Sequence, residues 1–207
     1  PTADCGYRAA TAATEGPVAQ GNVGAGAGAT VGKLLGMARA MKGGIGSAAI
    51  TLPDGLTVAA LVAVNAFGDI VDPATGRVLA GVRTEDGKSL ADARVLIRTG
   101  TAQKSPIGEN TTIGVVATNA RLTKAQATKV AQMAHDGLAR AISPVHSMAD
   151  GDPLFAMATG RLTREADINV IGALAAEVVA EAVLNAVRQA AGLPGLPSIR
   201  ELAAAGR

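Results

Sequence analysis

The chain has 207 residues, 19 basic and 17 acidic side chains, a net charge of +2 and a mean hydropathy of +0.28. With 48% hydrophobic residues it carries too much apolar surface to be disordered for most of its length. Its few aromatics (Tyr7, Phe67 and Phe155) argue against nucleic-acid modules that stack bases, and the interspersed charges describe no phosphate-binding face.

The longest apolar run, Leu56 to Phe67, falls short of the ~20 residues that cross a bilayer, so no membrane span is expected. The single cysteine, Cys5, excludes an internal disulfide framework and fits a reducing, cytoplasmic setting. Pro1 to Arg8 lacks the basic patch and apolar stretch of a signal peptide, and there is no initiator Met, so upstream residues are expected.

In chain order, residues 7–14 read as a short Ala-rich helix, followed by a glycine-rich loop between Gly16 and Gly32. Lys33 to Met41 fits a helical turn or a strand, and Lys42 to Gly46 is a second glycine cluster. Ser47–Leu52 and Leu56–Phe67 read as strands joined through the turn Pro53-Asp54-Gly55, in which Pro presets φ and Gly accepts a positive one. The near-continuous apolar character of the second strand predicts burial on both faces. Gly68 to Asn110 turns polar and reads as a strand fragment, a long exposed excursion and a tether. Order resumes at Thr111 with the strand TTIGVVATN. A helix over Leu122–Ile142 follows, N-capped by Thr123 with Gln126 completing a capping box. Asp150-Gly151-Asp152-Pro153 is expected to turn into a strand over Leu154–Thr159. The helix Ile168–Ala191 is apolar nearly all round, which places it in a sandwich or at a subunit interface, and a short helix over Ser198–Ala205 ends the chain. Strands and helices with apolar faces must cover one another, which makes a layered α/β sandwich.

The glycine loop resembles a phosphate cradle only in part. Gly32-Lys33 is present, but Ala27 stands where a P-loop needs Gly and Leu34 where it needs a hydroxyl. The dinucleotide pattern Gly24, Gly26 meets Ala29 at its third position, and no clear strand precedes it. A packing or site-shaping loop is the better reading. His135 and His146 lack ligand spacing, and Asp150 and Asp152 supply too few oxygens for a hard metal. A triad of Ser143, His146 and Asp150 has no nucleophile elbow. The junction Asn110-Thr111 is more telling. A polar tether ends where a hydroxyl residue opens a buried strand, and a cut there would make Thr111 an N-terminal residue activated by its own α-amine.

TTIGVVATNARLTKAQATKVAQMAHDGLARAISPVH, then DGD and LFAMATG, together with EGPVAQGNVGAGAG, KGGIGSA and VNAFGD upstream, resembles the autoprocessed aminopeptidases of the DmpA type. That family includes the L-aminopeptidase D-Ala-esterase/amidase and the β-peptidyl aminopeptidases. The resemblance runs from about Glu15 to the C-terminal helix. It implies a four-layer αββα sandwich similar to N-terminal nucleophile hydrolases, built as one hydrolase domain over residues 1–207. Cleavage would leave 1–110, the end of the alpha chain without the family's N-terminal part, and 111–207, the beta chain. It also implies Thr111 as nucleophile where most familiar members have Ser, and Asn65 in the oxyanion hole. Asp152 matches the acid of the family's S-G-[DE] motif, and Asp150 replaces its serine. A family tyrosine of the oxyanion hole would precede Pro1, and Tyr7 does not align with it. The implied activity is hydrolysis of small peptides or amino-acid amides through an acyl-enzyme, with Asp150 or Asp152 holding the substrate ammonium. No cofactor, metal or nucleic acid is implied, and a homo-oligomer, tetrameric by resemblance, is. A catalytically altered relative, an acyltransferase of the ornithine acetyltransferase kind and a nucleotide-binding module are the alternatives.

Overall fold

The computed structural model describes residues 2–101, 110–148 and 150–205. The tether expected before the junction falls mostly on 102–109, outside the described residues. Helix α1 (Ala3–Thr11) begins earlier than its alanines suggest and buries no residue. Two short strands, β1 (Thr30–Val31) and β2 (Met41–Lys42), pair across the glycine-rich segment. β3 (Gly44–Thr51) and β4 (Thr57–Val64) form the expected hairpin, with Gly55 at φ +85° in its turn.

Two expectations about this hairpin need correction. β3 begins before Ser47 and takes in Gly44–Gly46 of the second glycine cluster. The cause is a close crossing: a Cβ on Gly46 would lie 2.1 Å from the carbonyl oxygen of Ala182 on the long helix packed over the strand. Burial along β4 alternates for most of its length and becomes continuous only from Val62 to Val64, so one face of the strand is apolar without being sealed.

The polar excursion is also more ordered than expected. It holds β5 (Asp69–Val71), β6 (Val78–Ala80) and α2 (Ala93–Arg98). The buried Asp69 carboxylate ties them together by accepting from Val82 N (2.8 Å) and Ala93 N (2.7 Å). β7 (Ile113–Thr118) leads to α3 (Lys124–Ala141), whose Thr123–Gln126 capping box is formed as read. β8 (Ile142–Ser143), β9 (Leu154–Ala158), α4 (Ile168–Arg188) and α5 (Ile199–Ala205) complete the chain.

The main sheet runs β3-β4-β7-β9, with β7 and β9 parallel, and β6-β5-β8 form a second sheet. α3 and α4 pack on each other, and α4 covers β3 and β4. By length and composition α4 would cross a bilayer, which the inspection of Leu56–Phe67 overlooked, but 67% of its most apolar stretch is buried inside this chain. Of the two expectations for this helix, a sandwich or a subunit interface, its own sheet and α3 therefore supply the first. The opposite sheet face, with Leu61, Val115 and Ala117 beside exposed Ile113, Phe155 and Met157, carries no helix among the described residues.

Candidate active site

The site lies at one end of the main sheet and follows from strand register. Continuing the antiparallel β4–β7 pairing past Ala63–Ile113 sets Asn65 opposite Thr111, and Thr111 N donates to the Asn65 carbonyl at 3.1 Å. The parallel β7–β9 pairing keeps one offset of 40 residues, from Gly114–Leu154 back to an isolated bridge between Asn110 and Asp150. That offset brings DGD alongside the junction, where it runs extended instead of turning. Thr112 N donates to Asp152 Oδ1 at 2.8 Å, and Gly151 N donates to the Asn110 carbonyl at 2.8 Å. The Asn110–Thr111 peptide is thus held on both sides. Asn110 is only 3% exposed, so the junction is inner strand rather than loop tip. Gly151 leaves room for the nucleophile candidate, since a Cβ there would stand 3.1 Å from Thr111 Oγ1.

Asn65 is fixed by its carbonyl end. Its Oδ1 accepts from Thr30 N (3.0 Å), Thr30 Oγ1 (3.3 Å) and Lys33 Nζ (2.9 Å). The amide Nδ2 is then the end available to an outside acceptor, as an oxyanion donor requires. Lys33 Nζ also donates to the Asn65 backbone oxygen at 3.2 Å, so the ammonium and the Thr111 N–H meet on one carbonyl. The sequence reading saw Lys33 only as a fragment of a failed phosphate motif. No spacing betrays its role, because the glycine-rich segment folds back over β4 to deliver it. Burial lowers Lys33 to about 8, with Asp150 and Asp152 pulling the other way.

The two aspartates differ. Asp150 is occupied with backbone and loop: Oδ1 accepts from Phe67 N (3.2 Å), and Oδ2 from Ser147 Oγ (2.7 Å) and Ser147 N (3.2 Å). Asp152, with its side chain 2% exposed, is pushed up chiefly by burial and also by Asp150, against the Thr112 N–H and His146. The two histidines, expected as separate surface or core residues, meet here. His146 Nδ1 lies 3.2 Å from Asp152 Oδ2, and His146 Nε2 lies 3.4 Å from His135 Nδ1. No group of three or more His, Cys, Asp or Glu arranged to hold a metal occurs among the described residues.

The glycine loop has a packing role. Gly26 touches Gly21 and Ile45 backbone, and buried Lys42 ties the loop by donating to the carbonyls of Gly26 (2.8 Å), Ala29 (2.8 Å) and Gly43 (2.9 Å).

Comparison with known proteins gives a consistent picture. The family model described as peptidase family S58 matches residues 2–199. An uncharacterized aminopeptidase of Mycobacterium leprae is 42% identical over 219 residues, covering 96% of this chain and 59% of the relative. A 6-aminohexanoate-oligomer endohydrolase of a Kocuria strain is 32% identical over 191 residues, covering 85% and 53%. The chain therefore spans between half and three fifths of the length of these relatives. Among solved structures, a Burkholderia β-aminopeptidase superposes with a TM-score of 0.65 at 28% identity, covering 96% of this chain and 56% of that one. The L-aminopeptidase D-Ala-esterase/amidase of Ochrobactrum anthropi, described as a variant of the Ntn hydrolase fold, gives a TM-score of 0.63 at 22% identity over 96% and 55% of the two chains. The latter likeness bears on the fold alone, and the fold is that α/β sandwich.

Proposed function

This chain belongs to peptidase family S58, and on that premise we propose that it is a self-cleaving N-terminal-threonine hydrolase, an aminopeptidase or amidase acting on short peptides, amides or esters. The observation that carries the reading is the bracketed Asn110–Thr111 bond, with the Gly151 N–H on its carbonyl and the Asn65 carbonyl on its N–H.

In the first reaction Thr111 Oγ attacks the Asn110 carbonyl carbon. Charge grows on the oxygen that already accepts from Gly151 N, so a donor is in place where it is needed. The nucleophile's proton requires a base, and before cleavage Thr111 N is an amide with no lone pair to offer. Neutral Lys33 fits as that base, being lowered to about 8 and hydrogen-bonded to the same Asn65 oxygen as Thr111 N. Collapse breaks the C–N bond, and the proton passes to the departing Thr111 nitrogen. The resulting ester at Oγ is hydrolysed to an Asn110 carboxylate and a free Thr111.

In the second reaction the new α-amine, with an intrinsic pKa near 8, joins Lys33 as a base for Thr111 Oγ. The hydroxyl attacks the first amide of a bound substrate, Asn65 Nδ2 donates to the oxyanion, and an acyl-enzyme forms that water releases. Asp152 balances the positive charge of Lys33 and of a substrate ammonium. Asp150, with both oxygens engaged by Phe67 and Ser147, positions the loop. One similar protein is named a β-aminopeptidase and another a 6-aminohexanoate-oligomer endohydrolase, which supports short amide-bonded peptides or oligomers as the substrate class. A homo-oligomer belongs to the same reading. With α4 covered internally, its support is the open apolar sheet face.

Intact-mass measurement tests the proposal. The purified 207-residue chain is expected as two polypeptides joining at Asn110/Thr111, each about half of 20.4 kDa. Thr111→Ser is expected to cut and Thr111→Ala to remain one chain. A folded parent that stays in one piece overturns the assignment.

A further inference from the structure

Behind Asp152 stands a pair of rings that the reaction above does not use. His146 Nδ1 is 3.2 Å from Asp152 Oδ2, and its Nε2 is 3.4 Å from His135 Nδ1 on α3, with ring centroids 4.9 Å apart. A doubly protonated imidazole has two N–H donors, and here each has one acceptor in line, a carboxylate on one side and a neutral imidazole on the other. Burial lowers His135, and His146 adds to that, which keeps His135 in the accepting form. His146 also holds an unusual backbone, φ +54°, in the left-handed region. Histidine tolerates that region better than most residues, and such outliers collect where a side chain must be aimed.

We propose that His146 is a positioning residue of the active site: its imidazole, backed by His135, holds the Asp152 carboxylate in place beside the Thr111–Thr112 backbone and opposes its protonation whenever the ring carries a second proton. This rests on the function proposed above and adds a regulator to it, a charge outside the reacting groups that sets how the site responds to acid. The remaining oxygen of the carboxylate, Oδ1, stays on Thr112 N, so the pair fixes both ends of the group. Among the described residues, the charged groups facing the pair are Asp150 and Lys33 from the site side and Asp136 from α3. Burial and Asp150 both push Asp152 towards its neutral form, and His146 opposes them. Removing the ring leaves that push less opposed, so Asp152 stays protonated to higher pH.

The test uses His146→Asn in the two-chain enzyme. Asparagine accepts a positive φ and puts an amide nitrogen near the place of Nδ1, but it carries no charge and cannot reach His135. With small amino-acid p-nitroanilides, kcat/KM is expected to fall about tenfold at pH 5.5, and the deficit to shrink at least about fivefold by pH 8.5. His135→Ala is expected to shift the profile the same way by a smaller step. A deficit that is equal at all pH values, or none, overturns the proposal. A second arm is independent of turnover. In Thr111→Ala protein, carboxyl-carbon NMR is expected to show the Asp152 titration moving to higher pH on His146→Asn, and an unmoved titration also overturns it. Failure of the parent reading looks different: the chain would stay in one piece and hydrolyse no p-nitroanilide, while the Asp152 titration in Thr111→Ala protein would still move on His146→Asn.

Discussion

Replacing Lys33 by Met is expected to separate the two reactions proposed for the site. Methionine keeps most of the unbranched stem and loses the ammonium, with its bonds to Asn65 O (3.2 Å) and Oδ1 (2.9 Å). Asn65 is still held by Thr30 through two donors, so the amide keeps its orientation. With Lys33 at about 8, roughly a tenth of it is neutral at pH 7 and a hundredth at pH 6. Self-cleavage of the parent is therefore expected to speed up about tenfold per pH unit below 7 and to level off above 8. A positioned base contributes ~10²–10⁴, so Lys33→Met is expected to slow cutting at pH 8 at least about 100-fold, or ~2.7 kcal/mol, and to flatten that slope. The assay is refolding from denaturant at fixed pH, followed by intact mass against time. Cutting within about threefold of the parent, or with the parent's slope, would refute Lys33 as the base. Hydrolysis by any two-chain material recovered is expected to suffer less, since the α-amine of Thr111 then offers a second base.

Gly46→Ala is expected to destabilise by about 3 kcal/mol or more, because its Cβ would lie 2.1 Å from Ala182 O and 2.4 Å from Ala186 N, backbone atoms that move only if α4 moves. Thermal unfolding in the Thr111→Ala background measures it, and Gly6→Ala in α1, with nothing within 4 Å, is the control expected to be neutral or slightly stabilising. Thr112→Val is expected to hold or raise the melting temperature, since the buried Thr112 hydroxyl has no hydrogen-bond partner among the described residues and Val has the same shape. A loss above about 1 kcal/mol would mean that the hydroxyl has a partner in solution.

What could be read from the sequence was local. Pro53-Asp54-Gly55 between apolar runs, and Thr123 with Gln126, each hold their own signal within a few residues, and both form as expected. Strand segments at Asn65 and Thr111 were visible too, but their pairing across the sheet rests on register, which no single segment contains. Lys33 was invisible as a site residue because it arrives by a fold-back of the glycine segment, and the His135–His146 contact because it joins a helix to a loop 11 residues on. Gly44 and Gly46 were left out of the expected strand because glycine serves turns and close crossings alike. Only the position of α4 tells which applies here.

The depth of the scissile bond has a kinetic consequence. A foreign protease must draw an extended stretch of chain into its own cleft, and Asn110 is 3% exposed, with its carbonyl hydrogen-bonded by Gly151 N and the following Thr111 N–H on the Asn65 carbonyl. A second copy of the chain cannot reach that carbonyl either. On the function proposed above, maturation is then expected to be an event within one molecule, with a half-time that does not change on dilution, each chain becoming competent on its own clock once its sheet has closed.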